Sequence, residues 1–434
     1  MQEQAGIPSK AKLDRRRFIQ TAAAGALAMS TMVSRKAFAQ DKIKIGLIGC
    51  GWYGMVDMKA AFKVGGVECI AICDVDTEHL AAGAAEIDGL QGFKPATFKD
   101  YRQLLEHPEL QAVIIATPPH WHALQFIAAL ERGVDIYCEK PLAYDIREGQ
   151  AMVEAAKSDH IIQIGFQRRK ATALREAREF IQAGNIGDIA QVDVQIHYNA
   201  VLRDATPQEP PASLDWDAWC GPAPKLPYSP NIGHFAWRLE KEYGHGHLVD
   251  WGIHMIDTTR WILDDGMPTT VRAFGGIYKL QGAITTPDSL TVNFDFSTCP
   301  VTWRHRLWGA QEYTPETNNG IFFFGDKGTV FASDHQWAFI PKDGERQMHA
   351  ARNDAGRDIM ADFLQAVKTR DNAGLHSPQD AFCSTATTQL GMIAYESDSV
   401  VKWDAATKEV VDNRAAAMLL KRPYRAPWQH PFEA

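Results

Sequence analysis

Four short groups of residues in this chain have the types and spacing to do chemistry. The first is Gly49-Cys50-Gly51-Trp52-Tyr53-Gly54. In a G-x-G-x-x-G order, the first glycine allows a tight turn, the second lets a pyrophosphate approach the backbone, and the third lets a helix pack on a strand. The second is Asp74, twenty residues after Gly54. A carboxylate there would bond a ribose 2′-hydroxyl and repel a 2′-phosphate, so NAD is preferred over NADP. The third is Glu139-Lys140-Pro141, and the fourth pairs Asp250 with His254. A spacing of four places that pair on one helical face, one turn apart. A carboxylate beside an imidazole fixes its tautomer and raises its basicity.

These residues need rigid elements to hold them. Residues 42–50 read KIKIGLIGC, a short apolar run suited to a buried parallel strand, and the chain then turns helical through Val64. A second strand, 67–73, ends at Asp74. Helices at 77–85 and 101–106, a strand at 112–116, a helix at 123–132, a strand at 134–138, a helix at 145–158 and a strand at 161–165 continue the alternation. That pattern predicts an N-terminal Rossmann domain over residues 40–165. Its ligand should sit at the carboxyl ends of the strands, where Gly49, Asp74, Thr117, Glu139 and Lys140 all fall.

The rest reads as an α+β domain over 166–400. A helix at 171–183 and an alternating strand at 188–198 open it, and five later segments (270–278, 290–296, 302–308, 320–325 and 329–332) read as an open, mainly antiparallel sheet. Helices at 357–369 and 381–397 should return to the first domain, before a C-terminal arm over 401–434. An irregular stretch before the Asp250 helix holds seven of the 22 prolines, together with Trp216, Trp219, Tyr228 and Trp237-Arg238. A loop that long inside a compact domain is usually functional.

The glycine motif, the acid after the second strand, Thr117-Pro118-Pro119-His120-Trp121-His122, Glu139-Lys140-Pro141, and Gly246-His247-Leu248-Val249-Asp250-Trp251-Gly252-Ile253-His254 together resemble the glucose-fructose oxidoreductase, inositol dehydrogenase and rhizopine-catabolism (Gfo/Idh/MocA) family. The resemblance covers roughly residues 43–400. It implies that His254 takes the hydroxyl proton as a hydride leaves a sugar carbon, that Lys140 polarises the same oxygen, and that Asp250 orients the pair. It implies cofactor contacts from Gly49, Gly51, Trp52, Tyr53, Gly54, Asp74, Thr117, Pro118, His120, His122, Glu139 and Lys140. It also implies a sheet whose outer face, with apolar and aromatic residues to spare, pairs subunits into a homodimer or homotetramer.

For the substrate, Trp121 and Trp237 are expected to stack on a sugar ring, with Arg238 beside Trp237. Arg168 and Arg169 lie where the chain leaves the cofactor sheet, and His247 is expected to contact sugar hydroxyls. His245-Gly246-His247 departs from the more glycine-rich family pattern. Three histidines and a carboxylate in so short a span could suggest zinc. With Lys140 present no Lewis acid is needed, and no metal is expected.

The first 39 residues read as a separate unit. Arg15-Arg16-Arg17-Phe18, a weakly apolar stretch at 21–33 and Ala37-Phe38-Ala39 describe a twin-arginine export signal cleaved after Ala39, with a periplasmic destination. That leader carries seven Lys/Arg against Glu3 and Asp14, a net +5, which leaves −13 on the remainder against −8 for the whole chain. So acidic a protein is not a nucleic-acid binder. The composition (45% hydrophobic, 23% charged) excludes disorder, and no run of 18 strongly apolar residues predicts a permanent membrane span. Seven cysteines without regular spacing argue against a disulfide framework.

The leading reading is an exported, NAD-dependent oxidoreductase acting on a sugar or cyclitol. A compartment without free NAD requires the cofactor to stay tightly bound and be reset in place. A second sugar could reset it. Alternatively one glycoside could be oxidised, cleaved by elimination and reduced again, giving a redox-neutral hydrolase. The family's glycosidase branch typically varies the Glu-Lys-Pro triplet, so Lys140 counts against that route. A third reading is a cofactor-bearing sensor without turnover, against which Lys140, Asp250 and His254 argue. The −13 charge does not help hold a dinucleotide, so some segment must cover it. The 117–122 loop and the C-terminal arm around Trp428 are the two candidates.

Overall fold

The computed structural model describes residues 42–156, 159–310 and 318–433. The expected export signal and cleavage site lie outside these residues. Six strands, β1 (Ile43–Ile48), β2 (Val67–Cys73), β3 (Ala96–Phe98), β4 (Ala112–Ile115), β5 (Asp135–Cys138) and β6 (Ile162–Ile164), form a parallel sheet in the order β3-β2-β1-β4-β5-β6. The order reverses between β1 and β4, and a ligand crevice opens at that switch point. β4 and β5 are buried throughout, as strands covered on both faces must be. Aspartates stop the intervening helices from fraying: Asp76, Asp100 and Asp145 each accept a backbone N–H of the helix that follows. On one face, Met58 and Ala61 of helix Trp52–Val64 pack with Ile359, Phe363 and Leu364 of helix Ala355–Thr369. The chain does return to its first domain there, as expected.

The second sheet has ten strands. Its centre is β7 (Ile189–His197), β8 (Thr270–Gly276), β9 (Ser289–Asp295), β10 (Pro300–Arg306), β11 (Asn319–Gly325) and β12 (Gly328–Ala332). β13 (Gln336–Pro341), β14 (Gln347–Ala350), β15 (Val401–Asp404) and β16 (Glu409–Val411) extend its edges. The order is β14-β13-β12-β11-β7-β10-β9-β8-β15-β16, and only the β7–β10 pair is parallel. Trp303, opposite Val194 and Val292, is fully buried on the inner face. Helix Pro378–Glu396 covers that face with Leu390 and Ile393. The outer face carries Thr291, Asn293, Thr302 and Arg304, with an Arg304–Asp193 ion pair at 2.8 Å, and beside them an apolar set of Phe322, Phe324 and Phe331 with the exposed Phe274 and Met348.

Two segments read as loops turn inward to the cofactor domain. Residues 213–221 dock on the turn after β2, where Thr77 N–H donates to Ser213 O (2.9 Å) and Asp215 N–H to Val75 O (3.1 Å). The C-terminal arm locks onto the helix after β5. Arg422 lies 3.7 Å over the Tyr144 ring and pairs with buried Glu148, and His430 meets Asp145 at 3.1 Å. All seven cysteines are free, and only Cys383 is less than buried. Among the described residues, no helix is long and apolar enough to cross a membrane.

The many buried histidines set a pH response. Burial pushes His120 down to about 3 and His197, His305 and His376 to about 4, and it holds His247 and His254 well below the imidazole range. An unfolded histidine titrates near 6.5. Below that pH the unfolded chain binds protons that the folded chain refuses, so stability present above pH 6.5 is lost as pH falls. Glu139 and Glu148, pushed up to about 7 by burial, act oppositely and offset part of it. Counting His122 and His234, eight lowered histidines stand against the raised Glu139, Glu148 and Asp57, and each unbalanced group contributes up to about 1.4 kcal/mol per pH unit. The urea unfolding free energy should fall by at least about 2 kcal/mol between pH 7 and pH 5. A flat profile would show that these histidines are protonated in the folded state.

Candidate active site

The crevice holds two adjoining hollows, of about 620 and 560 Å³, which share Trp52, Tyr53, Thr117, Trp237, Arg238 and Trp251 as walls. The glycine turn and Asp74 line the first. Glu139, Lys140, Arg168, Asp250 and His254 line the second.

The three glycines divide their work as their spacing predicts. Gly49 has φ +95°, and a Cβ there would come within 2.9 Å of the Ala116 carbonyl. A Cβ on Gly54 would stand 1.9 Å from Gly49 O. A Cβ on Gly51 would meet nothing within 4 Å. That open space lies at the N-terminus of helix Trp52–Val64, where first-turn amides and the helix dipole favour a phosphate. The cradle therefore fits a dinucleotide pyrophosphate. Asp74 is fixed at its rim, its Oδ2 accepting Cys50 N–H (2.7 Å) and its Oδ1 accepting Asp76 N–H (2.9 Å), and burial raises its pKa. The Tyr53 hydroxyl accepts from Gln167 Nε2, while Trp52 stands 74% exposed beside the cradle.

In the second hollow Lys140 leaves the end of β5 and its Nζ donates to Asp250 O (2.8 Å) and Oδ1 (3.0 Å). The other Asp250 oxygen pairs with Arg238 Nε at 3.1 Å, and the Arg238 guanidinium lies 4.3 Å over the Trp237 ring. The expected Asp250–His254 pair is not made. Leu248–Gly252 is a turn of π-helix, and the Asp250 carboxylate on it is taken by Lys140 and Arg238 instead. His254 Nδ1 is buried without a hydrogen-bond partner. Burial, then the charges of Lys140 and Arg168, hold His254 far below its ordinary pKa, so the ring is neutral. Glu139 lies buried against Gly165 and accepts from Tyr137 OH (3.3 Å) and Lys140 N–H (3.2 Å).

Several expected contacts fall elsewhere. His120 and His122 do not line either hollow. His120 Nε2 meets Trp219 O at 2.9 Å, and the His122 nitrogens sit 2.8 Å from Thr117 O and Pro141 O, so both rings brace loops. Trp121 lines the first hollow, far along it from the Lys140 end, with Nε1 bonded to Trp219 O (3.0 Å). Arg169 is spent on Asp257 (2.5 Å) and Asp380 (2.6 Å) inside the core. His247 is buried between Tyr198 and His305, at ring distances of 4.7 and 5.0 Å, behind the second hollow. His245 turns to Glu396 instead. Arg168 does reach the second hollow, paired with Asp334 at 3.2 Å. Trp251, one residue from Asp250 and 39% exposed in both hollows, was not singled out by the sequence. Its place between two motif residues was the available signal.

Comparison with known proteins agrees with this geometry. The pattern of the "Oxidoreductase family, NAD-binding Rossmann fold" matches residues 43–166, and that of the "Oxidoreductase family, C-terminal alpha/beta domain" matches residues 181–430. The chain is 31% identical over 231 residues to the levoglucosan dehydrogenase of Pseudarthrobacter phenanthrenivorans, covering 52% of each. It is 27% identical over 226 residues to inositol 2-dehydrogenase 3 of Saccharopolyspora erythraea, covering 51% of this chain and 54% of that one. The chain thus spans about half the length of these curated relatives. Among solved structures, a levoglucosan dehydrogenase in complex with NADH and levoglucosan superposes with TM-score 0.64 at 20% identity, over 83% of this chain and 99% of that one. A scyllo-inositol dehydrogenase from Lactobacillus casei with bound NAD(H) and scyllo-inositol gives 0.62 at 19%, with the same coverage. At these identities the structural likeness is one of fold. The sequence patterns cover both domains, and the chain belongs to the Gfo/Idh/MocA oxidoreductase family.

Proposed function

We propose that this protein is an exported oxidoreductase that moves a hydride between a retained NAD and a hydroxyl or carbonyl carbon of a sugar or cyclitol. The observation that carries the reading is the fixing of Lys140 Nζ on Asp250 in a hollow continuous with the glycine cradle. The substrate class is that of the inositol and levoglucosan dehydrogenases the chain resembles. When bound, nicotinamide supplies the hydride acceptor or donor.

The residues then divide the proton work. Lys140 donates a hydrogen bond to the reacting oxygen and stabilises negative charge there as the hydroxyl proton leaves. Asp250 holds that ammonium in place, and Arg238 holds Asp250. Neutral His254 receives the proton on the nitrogen that faces the hollow. Next to Lys140 and Arg168 a charged imidazole is unfavourable, so the proton is passed on to solvent in the hollow rather than kept. Trp237 and Trp251 offer flat apolar faces to a ring substrate. Export through the twin-arginine route and pairing of subunits through the ten-stranded sheet complete the reading.

The test is the fate of the cofactor. NAD should survive gel filtration and dialysis, and a sugar or cyclitol should reduce it once in a single turnover. Continued turnover should need either a second oxidised sugar or a glycoside that is cleaved, the latter marking the redox-neutral hydrolase. Protein that is fully apo after dialysis, and that consumes one free NAD per product, would point to a simple dehydrogenase.

Asp74 sets the cofactor preference. NADP should bind at least tenfold more weakly than NAD, roughly 1.4 kcal/mol, by calorimetry. Asp74→Ala should narrow that gap. Equal NADP affinity in the wild type would remove Asp74 from the ribose site.

A further inference from the structure

We propose that the C-terminal arm completes the purine end of the cofactor site, with Trp428, Trp121, Tyr101 and Arg102 forming a cage for the adenine ring. This rests on the dinucleotide reading above.

Position comes first. Asp74, the ribose residue, donates its N–H to Phe98 O at 3.2 Å, and the turn after Phe98 delivers Tyr101 and Arg102 to the same hollow. The hollow runs on past Asp74, away from Lys140 and His254. Whatever fills that far end is attached to the ribose rather than to the reacting carbon.

Its lining suits a flat, electron-rich base. The Trp121 ring stands edge-on to Tyr101 at 5.8 Å and to Trp428 at 4.8 Å. The Arg102 guanidinium lies 5.4 Å from the Trp428 ring centre and 5.7 Å from that of Tyr101. Asp100 holds Arg102 by three hydrogen bonds of 2.8–3.1 Å, so the cation is set before a ligand arrives. Aromatic faces and an Arg plane are the partners on which bases stack.

The arm is fastened as a built wall rather than a loose tail. Arg425 N–H donates to Pro222 O (2.8 Å), Arg425 Nη1 to Asp217 (2.8 Å) and Arg425 Nε to Gly221 O (3.1 Å), while Trp428 N–H returns to Arg425 O (3.0 Å). Tyr424 OH donates to Glu148 at 2.8 Å. Asp215 and Trp219, from the docked 213–221 segment, line the same hollow. The arm and that segment therefore close on the adenosine from two distant parts of the chain. Release of the cofactor would require the arm to lift, which gives a physical basis for its retention.

Cofactor-depleted full-length protein titrated by calorimetry with NAD, ADP-ribose and nicotinamide mononucleotide tests this. Trp428→Ala should weaken NAD and ADP-ribose by roughly five- to a hundredfold, the range for losing one aromatic partner of a base, and leave nicotinamide mononucleotide unchanged. Trp428→Phe should restore most of the loss. If the alanine variant does not fold, Trp428→Leu keeps apolar bulk in the arm and should show the same selective loss. ADP-ribose bound as tightly by either variant as by the wild type, or mononucleotide binding lost in proportion, would overturn the cage. Wild-type protein that binds neither NAD nor ADP-ribose would instead sink the dinucleotide reading, and the cage with it.

Discussion

Lys140→Met is expected to abolish reduction of the bound nicotinamide by a polyol while leaving the dinucleotide in place. Methionine matches the length of the lysine stem but offers neither charge nor donor. The reacting oxygen loses the cation positioned for it, because Arg238 is already committed to the other oxygen of Asp250 and Arg168 to Asp334. Loss of a positioned charge-stabilising or proton-transferring group typically lowers the rate about 10²- to 10⁴-fold. At about 1.4 kcal/mol per decade this is roughly 3–5 kcal/mol of barrier. Cofactor binding should change little, since Gly51, Asp74 and the purine end lie along the other hollow. Asp250 keeps one cationic partner, so the fold should hold. Rapid mixing of loaded protein with substrate, read by the absorbance of reduced nicotinamide, measures the step directly. A single-turnover rate near wild type would make the Lys140–Asp250 pair a structural ion pair.

The Rossmann half was legible because its physics is local. Buried parallel strands are short apolar runs, and 67–73 could be bounded to the residue. The glycines and Asp74 are tied to those strands by spacing. Beyond them the signal thins. The edge strands β13 to β16 mix polar and apolar residues without clean alternation, and only the sheet they join makes them strands. The four-residue spacing of Asp250 and His254 presumed an α-helix, and nothing in Leu248–Gly252 announced a π-turn. Residue type also misled. His120, His122 and Arg169 are chemically attractive, but their partners lie at Trp219, Pro141, Asp257 and Asp380, at separations that carry no periodicity. Arg168 and Arg169 are neighbours of the same type, and only the fold sends one to the hollow and the other into the core. The cage around Trp428 joins residues more than 300 positions apart, out of reach of any local rule.

Gly51 and Gly54 should separate cradle from scaffold when each is replaced by alanine. Gly51 has φ −68°, which alanine adopts freely, and its added methyl would stand in open space. Gly51→Ala should therefore fold with unchanged stability. The same methyl would occupy the ground that a pyrophosphate needs, so NAD affinity should fall about a hundredfold or more, roughly 3 kcal/mol. Gly54→Ala acts through the protein itself. Its methyl would stand 1.9 Å from Gly49 O, and Gly49 cannot retreat because the Ala116 backbone lies behind it. The turn or the start of helix Trp52–Val64 must shift, at a cost of roughly 1–3 kcal/mol or more for overpacking a tight core. Gly54→Ala should thus lower the melting temperature and lose NAD together. Calorimetric NAD titration and thermal melts on both variants decide the matter. If Gly51→Ala binds NAD as the wild type does, the open space at the helix N-terminus is not a phosphate cradle. The dinucleotide would then have to lie elsewhere in the crevice.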